Sequence, residues 1–95
     1  MSDVTVRQAL VTIRLPEGLH LRPLTMLARL AQSFSSTITL EKAGNVADAK
    51  RPLDLMTLAA GPGEQLRLEA AGSDADRAVE AIVHLFERDF ADDAA

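Results

Sequence analysis

The sequence predicts an α+β fold of two layers, an open-faced sandwich in which three helices cover one face of a four-stranded antiparallel sheet. Segments with apolar residues at every second position alternate with segments of helical spacing, in the order β-α-β-β-α-β-α. Each strand-like segment keeps one polar face, which is typical of an antiparallel sheet with one face toward water. The 95 residues suffice for one domain. We expect its core over about residues 9–90, an N-terminal arm over 1–8 and a frayed acidic tail over 91–95.

The first strand is predicted over residues 11–15, where apolar and polar side chains alternate and Ala9 lies in the same phase. Val4 and Val6 fall in the opposite phase. Either a bulge therefore interrupts this strand, or residues 1–8 form an arm that lies partly outside it.

The first helix is predicted over residues 21–34, after a turn at residues 16–18. Pro23 falls in its first turn, where the missing N–H costs nothing, and Ser35 and Ser36 end it. One stripe of this helix is apolar and is expected to face the core: Leu24, Leu27, Ala28, Ala31 and Phe34.

The middle of the chain predicts a hairpin, a short helix and a further strand. Residues 37–41 alternate and are rich in β-branched side chains, and a turn over 42–45 leads to a short strand near 46–48. Residues 52–60 predict a helix that begins with proline and buries Leu55, Leu58 and Ala59. Residues 64–70 alternate cleanly and predict the fourth strand.

The last helix is predicted over residues 74–89, with Asp74 at its cap. His84 falls on its polar face, so we expect a solvated side chain there and no functional role. The expected core stripe of this helix comprises Ala75, Ala78, Val79, Ile82, Val83 and Phe86.

Composition excludes several classes of function. The chain has no cysteine, so disulfides, thiolate metal sites and thiol nucleophiles are excluded. A net charge of −4 and an aromatic content of 3% disfavour nucleic-acid binding. No apolar segment approaches the length of a membrane span, and no signal peptide is visible, so we expect a cytoplasmic protein without membrane insertion.

His20 stands between a glycine turn and the predicted start of the first helix. The first N–H groups of a helix lack internal acceptors and carry the positive end of its dipole, so they favour an anion. Arg22 adds a fixed positive charge suited to phosphate oxygens. Because an imidazole is partly neutral and nucleophilic near neutral pH, this arrangement favours transfer of a phosphoryl group onto His20.

The segment Gly-Leu-His-Leu-Arg-Pro at residues 18–23 resembles the active-site signature of HPr, the histidine-containing phosphocarrier family of the phosphoenolpyruvate-dependent sugar phosphotransferase system. The resemblance covers about residues 9–90. It includes Ala-Lys at 49–50, Met-Thr-Leu at 56–58 and Ala-Gly-Ser-Asp at 71–74. The family shares the order of elements given above.

The resemblance implies a carrier rather than an enzyme. Enzyme I would pass a phosphoryl group to Nδ1 of His20, which would then pass it to a histidine on a IIA domain. Arg22 would steady the phosphate, and Pro23 would shape the helix start. The family implies no cofactor and no bound metal, and we expect a monomer.

The family also implies a docking surface around the histidine, formed by the first helix and the short second helix. Leu24 and Leu55 are assigned to the core instead. Gln32 and Asp54 stand where many relatives carry basic residues, which weakens the positive rim of this surface. The residues expected to meet a partner are Leu21, Thr25, Arg29, Arg51, Pro52, Leu53 and Met56.

Some HPr proteins are controlled by phosphorylation of a serine that follows the lysine matching Lys50. Here Arg51 occupies that place and Pro52 follows, so the regulatory serine is missing. The alternative to a carrier is an HPr-like regulatory module, which binds a partner protein under control of histidine phosphorylation. A third interpretation is a ferredoxin-like domain that senses a small molecule, and the combination of His20 with Arg22 disfavours it.

Overall fold

Four strands form one antiparallel sheet in the computed structural model, which describes residues 5–91. The strands are β1 (Val6–Thr12), β2 (Thr37–Lys42), β3 (Asn45–Asp48) and β4 (Gln65–Ala71). Their order across the sheet is β1-β4-β2-β3. All three neighbouring pairs are antiparallel, so the predicted sheet is confirmed.

Residues 5–91 also contain three helices: α1 (Leu21–Gln32), α2 (Pro52–Met56) and α3 (Ala75–Glu87). The element order is the predicted one. None of these helices has the length and apolar character needed to cross a bilayer.

The hydrophobic core lies between these helices and one face of the sheet. Strand β4 shows the alternation that places it there, because Leu66, Leu68 and Ala70 are fully buried while their neighbours are more exposed. Burial of a leucine or isoleucine side chain stabilises the fold by about 1.5–3 kcal/mol. The large apolar side chains that are fully buried are Ile13, Leu27, Ile38, Leu40, Leu55, Leu66, Leu68, Ile82 and Phe90.

Strand β1 begins earlier than the sequence predicts. It pairs with β4 residue by residue from Val6 to Thr12, so no bulge interrupts it. The assignment of residues 6–8 to an arm is therefore wrong. Val6 and Leu10 are 48% and 60% exposed on the open face of the sheet, which explains why Val6 is out of phase with the core residues. Residues 1–4 of the predicted arm lie outside the described residues.

The predicted second helix is too long by one turn. Helix α2 ends at Met56, with Thr57 as its C-cap, and Ala59 has a left-handed φ of 47°. Ala59 is exposed rather than buried. The N–H groups of Thr57, Leu58 and Ala59 donate three residues back instead of four, which tightens the chain into a turn and ends the helix. After this turn, the carbonyl oxygens of Leu58 and Ala59 accept hydrogen bonds from Nζ of Lys42 at 3.0 and 2.9 Å.

The other two helices also end slightly earlier than predicted. Ser33 is the C-cap of α1, and Arg88 is the C-cap of α3. The chain then stays ordered through Ala91, whose N–H donates to the Arg88 carbonyl at 3.0 Å. The rest of the predicted tail, residues 92–95, lies outside the described residues.

Asp74 stands at the N-cap of α3 as predicted, but its carboxylate does not cap that helix. It accepts hydrogen bonds from the N–H groups of Ser35 and Ser36, at 2.8 and 2.9 Å, and from both hydroxyls. These bonds hold the pKa of Asp74 well below its usual range, and the bond from the Ser36 hydroxyl has the largest effect. They join the start of α3 to the segment between α1 and β2.

Candidate functional site

A glycine turn positions the start of α1. Gly18 has a φ of +70°, and its N–H donates to the Leu15 carbonyl at 3.0 Å. The next residue, Leu19, donates to the Ala60 carbonyl at 3.0 Å. A Cβ atom on residue 18 would lie 2.7 Å from the Ala60 oxygen and 2.9 Å from the Gly61 Cα, which real Cβ atoms do not tolerate. Only glycine therefore fits this position.

His20 is the N-cap of α1, where the sequence places it. Its backbone is extended, with φ −80° and ψ −173°, and its carbonyl accepts the first helical hydrogen bond from the Leu24 N–H at 3.0 Å. The His20 N–H donates to the Gly18 carbonyl at 2.9 Å. The imidazole does not cap the helix, and 40% of the side chain is exposed. This ring is therefore accessible to a partner molecule.

The first turn of α1 offers free backbone donors beside this ring. Within residues 5–91, the N–H groups of Leu21 and Arg22 have no hydrogen-bond acceptor. Pro23 has no N–H to offer, and its side chain is buried against the core. Free amides at the positive end of a helix favour an anion close to His20.

The Arg22 side chain is hydrogen-bonded to the segment that follows α3. Its Nη1 donates to the Phe90 carbonyl at 2.9 Å and lies 3.1 Å from the Met26 sulfur. Together with His20, its side chain lines a shallow depression on the outer side of α1. The other residues that line it are Leu21, Thr25, Met26 and Arg29, of which Met26 was not predicted from the sequence.

Glu17 is a site residue that the sequence analysis missed. Its Oε1 lies 3.8 Å from Nε2 of His20. The Glu17 side chain is 80% exposed and has no other hydrogen bond or ion pair with residues 5–91. The only signal in the sequence is a carboxylate three residues before a histidine, across a glycine turn.

The predicted docking surface is apolar and exposed. Leu21, Leu53 and Met56 are 72%, 78% and 56% exposed, whereas Leu24 and Leu55 are buried as expected. A second depression between α1 and α2 is lined by residues from both sides, which brings the helices into one surface: Leu19, His20, Leu21, Leu24 and Met56.

Three charged residues that the sequence analysis assigned to this surface differ in exposure. Arg51 is the exposed N-cap of α2, and Pro52 follows at its first position. Arg29 is exposed near the end of α1. Asp54 is partly buried, because its carboxylate accepts a hydrogen bond of 2.6 Å from the Asp48 N–H. The Asp54 carboxylate is therefore directed toward the backbone at the end of β3.

Two further expectations concern residues away from the depression. His84 is exposed on α3, as its helical position predicts. Within residues 5–91, no group of three histidine or carboxylate side chains is arranged to hold a metal ion.

Comparison with known proteins gives a consistent result. A family model described as the PTS HPr component phosphorylation site matches residues 7–88. The HPr-like protein Crh of Halalkalibacterium halodurans is 35% identical over 79 residues, which are 83% of this chain and 94% of that protein. The phosphocarrier protein HPr of Mycoplasma capricolum is 43% identical over 68 residues, 68% of this chain and 73% of that protein. A solved HPr from Thermoanaerobacter tengcongensis gives a TM-score of 0.87 at 32% identity, covering 92% of this chain and 98% of that chain.

Proposed function

The chain belongs to the HPr family of phosphocarrier proteins, and on that premise we propose that His20 carries a phosphoryl group between two proteins of the phosphotransferase system. Phosphorylated Enzyme I is the donor, and a histidine of a IIA domain is the acceptor. The observation that carries this proposal is the position of His20, an exposed imidazole at the N-terminus of α1 beside free backbone donors.

Transfer onto His20 is a nucleophilic displacement at phosphorus. The Nδ1 lone pair forms the new P–N bond while the bond between phosphorus and Enzyme I breaks, and the electron pair of that bond stays with the donor. The N–H groups of Leu21 and Arg22 then bind the phosphoryl oxygens at the positive end of the helix dipole. The chain is itself phosphorylated in one transfer and dephosphorylated in the next, so in this proposal it acts as a carrier rather than an enzyme.

In this proposal Arg22 changes its hydrogen-bond partner when His20 is phosphorylated. In the free protein its guanidinium is hydrogen-bonded to the Phe90 carbonyl. The guanidinium is charged in both positions, but a phosphate on His20 adds the attraction of opposite charges and oxygens that match its paired donors. Phosphorylation is therefore expected to draw Arg22 from Phe90 toward His20.

The docking surface for both partners is the apolar patch of Leu21, Leu53 and Met56 around the imidazole. Exposed apolar side chains of this size are typical of the centre of a protein interface. Arg29 and Arg51 lie at its edge and would steer acidic partners toward it. The surface supports transient docking, as a carrier that must release each partner requires.

A regulatory module is the second candidate function. The similarity to the HPr-like protein Crh supports it, since that relative matches 83% of this chain. A regulatory module would use the phosphate on His20 to change its affinity for a partner, whereas a carrier passes the phosphate on.

A two-step relay distinguishes these functions. The protein is first labelled with Enzyme I and phosphoenolpyruvate, separated from both, and then mixed with a panel of purified IIA domains. A carrier loses its label to a IIA domain within seconds to minutes, and the intact masses of both proteins report the exchange. Retention of the label with every IIA domain would contradict the carrier proposal and favour the regulatory one.

A further inference from the structure

Glu17 and His20 are brought together by the glycine turn between them. Gly18 has a left-handed backbone, and its carbonyl accepts the His20 N–H at 2.9 Å, which closes the turn. The Glu17 Oε1 atom then lies 3.8 Å from Nε2 of His20. Of the carboxylates described in residues 5–91, Glu17 alone lies within ion-pair distance of this ring.

We propose that Glu17 is a positioning residue for phosphoryl transfer, a role that rests on the function proposed above. Its carboxylate favours the tautomer of His20 with a proton on Nε2, because a negative charge 3.8 Å from Nε2 stabilises the partial positive charge of an N–H there. Nδ1 then carries the free lone pair. Since Nδ1 is the nitrogen that forms the P–N bond, Glu17 favours the reactive tautomer of the acceptor.

The carboxylate has a second effect in the same step. When the Nδ1 lone pair bonds to phosphorus, the proton stays on Nε2 and the ring acquires a positive charge, while the donor keeps the electrons of the broken bond. No proton has to move during transfer. The negative charge of Glu17 opposes the ring charge from the side away from the phosphate, so it stabilises the phosphorylated ring.

The size of the effect is limited by solvent. The Glu17 and His20 side chains are 80% and 40% exposed, so water and salt screen their interaction. We therefore expect loss of the Glu17 charge to slow transfer by about 1.5-fold to fivefold rather than by orders of magnitude. High salt is expected to reduce this difference.

Two variants and one control test the proposal. Glu17→Ala removes the whole carboxylate, and Glu17→Gln removes its charge while keeping the size of the side chain. Glu80→Gln on α3 is the matched control, because Glu80 is exposed and its loss changes the net charge by the same amount. Glu17 makes no other contact with residues 5–91 that would hold the fold.

The first measurement needs no partner protein. The ¹⁵N shifts of the ring nitrogens, recorded where His20 is neutral, give the fraction of each tautomer, and the exposed His84 ring serves as an internal reference. We expect the Nε2–H fraction of His20 to fall in Glu17→Ala while that of His84 does not change. An unchanged His20 tautomer would overturn the proposal, whether or not Enzyme I labels the chain.

The second measurement is the rate of labelling by Enzyme I at low and high salt. We expect Glu17→Gln to be slower than both the wild type and Glu80→Gln at low salt, with a smaller difference at high salt. Equal rates for Glu17→Gln and Glu80→Gln would also overturn the proposal. Absence of labelling in the wild type would instead contradict the carrier function, and the tautomer measurement would then decide the role of Glu17 alone.

Discussion

The Nη1 atom of Arg22 donates a hydrogen bond of 2.9 Å to the carbonyl of Phe90, which lies 68 residues further along the chain. Phe90 has a left-handed φ of 57°, is buried, and packs its ring against Phe86 at 4.8 Å. The first turn of α1 and the end of α3 are therefore joined beside the candidate site. Arg22 thus has a structural contact in addition to its proposed role in transfer.

Arg22→Lys is expected to keep the fold and to slow transfer by about tenfold, because an ammonium cannot offer the paired, planar donors of a guanidinium to a phosphate. A time course of labelling by Enzyme I, quenched at set intervals, measures the rate of phosphoryl transfer. The loss of one hydrogen bond to Phe90 is expected to lower the free energy of unfolding by about 1 kcal/mol. Thermal unfolding of the same variant measures that loss.

Arg77→Lys, on the exposed face of α3, is the control for Arg22→Lys. It is expected to change neither the rate nor the unfolding temperature. If Arg22→Lys transfers as fast as the wild type, positive charge alone suffices and the guanidinium does not bind the phosphate in a paired arrangement.

An HPr serine kinase with ATP is expected to add no phosphate to this protein. Arg51, which offers no hydroxyl, occupies the N-cap of α2 where the regulatory serine of some relatives stands. The next hydroxyl, that of Thr57, already donates to the Asp54 carbonyl at 2.6 Å. Intact mass after incubation with the kinase checks this, with an HPr that carries the serine as the positive control.

Arg51→Ser alone is not expected to restore the kinase site, because Pro52 restricts the backbone conformation of the segment that the kinase must bind. ATP-dependent phosphate on any serine or threonine of the wild-type chain would refute the prediction.

Gly18→Ala is expected to destabilise the fold more than Gly44→Ala and to slow transfer. Both glycines have positive φ, at +70° and +86°, so each alanine strains the backbone by about 1 kcal/mol. Only residue 18 also meets the Ala60 carbonyl, since nothing lies within 4 Å of a Cβ at residue 44. Chemical denaturation and labelling rates compare the two variants, and equal effects would show that the contact with Ala60 relaxes without cost.

Ser36→Ala is expected to lower stability at neutral pH. Its hydroxyl donates to Asp74, and this bond lowers the pKa of that carboxyl in the folded state. A folded-state pKa below the unfolded one stabilises the fold above about pH 4, and the stabilisation is lost as pH falls further. Because Asp74 titrates alike in the two unfolded chains, the difference between Ser36→Ala and the wild type is expected to shrink only as the pH falls through the folded-state pKa of Asp74 in the variant. The remaining bonds from Ser35 and from the Ser36 N–H keep that pKa below the usual range.

The exposed Ser73 provides the control for this prediction. Ser73→Ala is expected to follow the wild-type curve in urea denaturation from pH 7 to pH 2. A deficit of Ser36→Ala that is undiminished at pH 2 would contradict the assigned cause, because it would reflect packing rather than the charge of Asp74.

The sequence predicts the fold and the location of His20 because both depend on local patterns. Alternation in residues 64–70 reflects one buried face of β4, and the Gly-to-Pro segment at 18–23 reflects a turn followed by a helix start. Such signals are contained within a few neighbouring residues. They give the element order correctly even where the boundaries shift.

The differences arise where distant residues decide the structure. Val6 and Leu10 are apolar but exposed, so phase alone did not reveal that β1 extends to residue 6. The carbonyls of Leu58 and Ala59, which follow the early end of α2, bind Lys42 on the distant strand β2. The contact of Arg22 with Phe90 is likewise invisible before the chain folds.

The most direct test is labelling of His20→Ala by Enzyme I and phosphoenolpyruvate, followed by the intact mass of the chain. His84→Ala is the matched control, because His84 is exposed on α3 away from the depression at α1. Circular dichroism first establishes that both variants are folded. We then predict that the wild type and His84→Ala gain the mass of one phosphoryl group and that His20→Ala gains none. Undiminished labelling of His20→Ala would contradict the assignment of His20 as the phosphoryl acceptor.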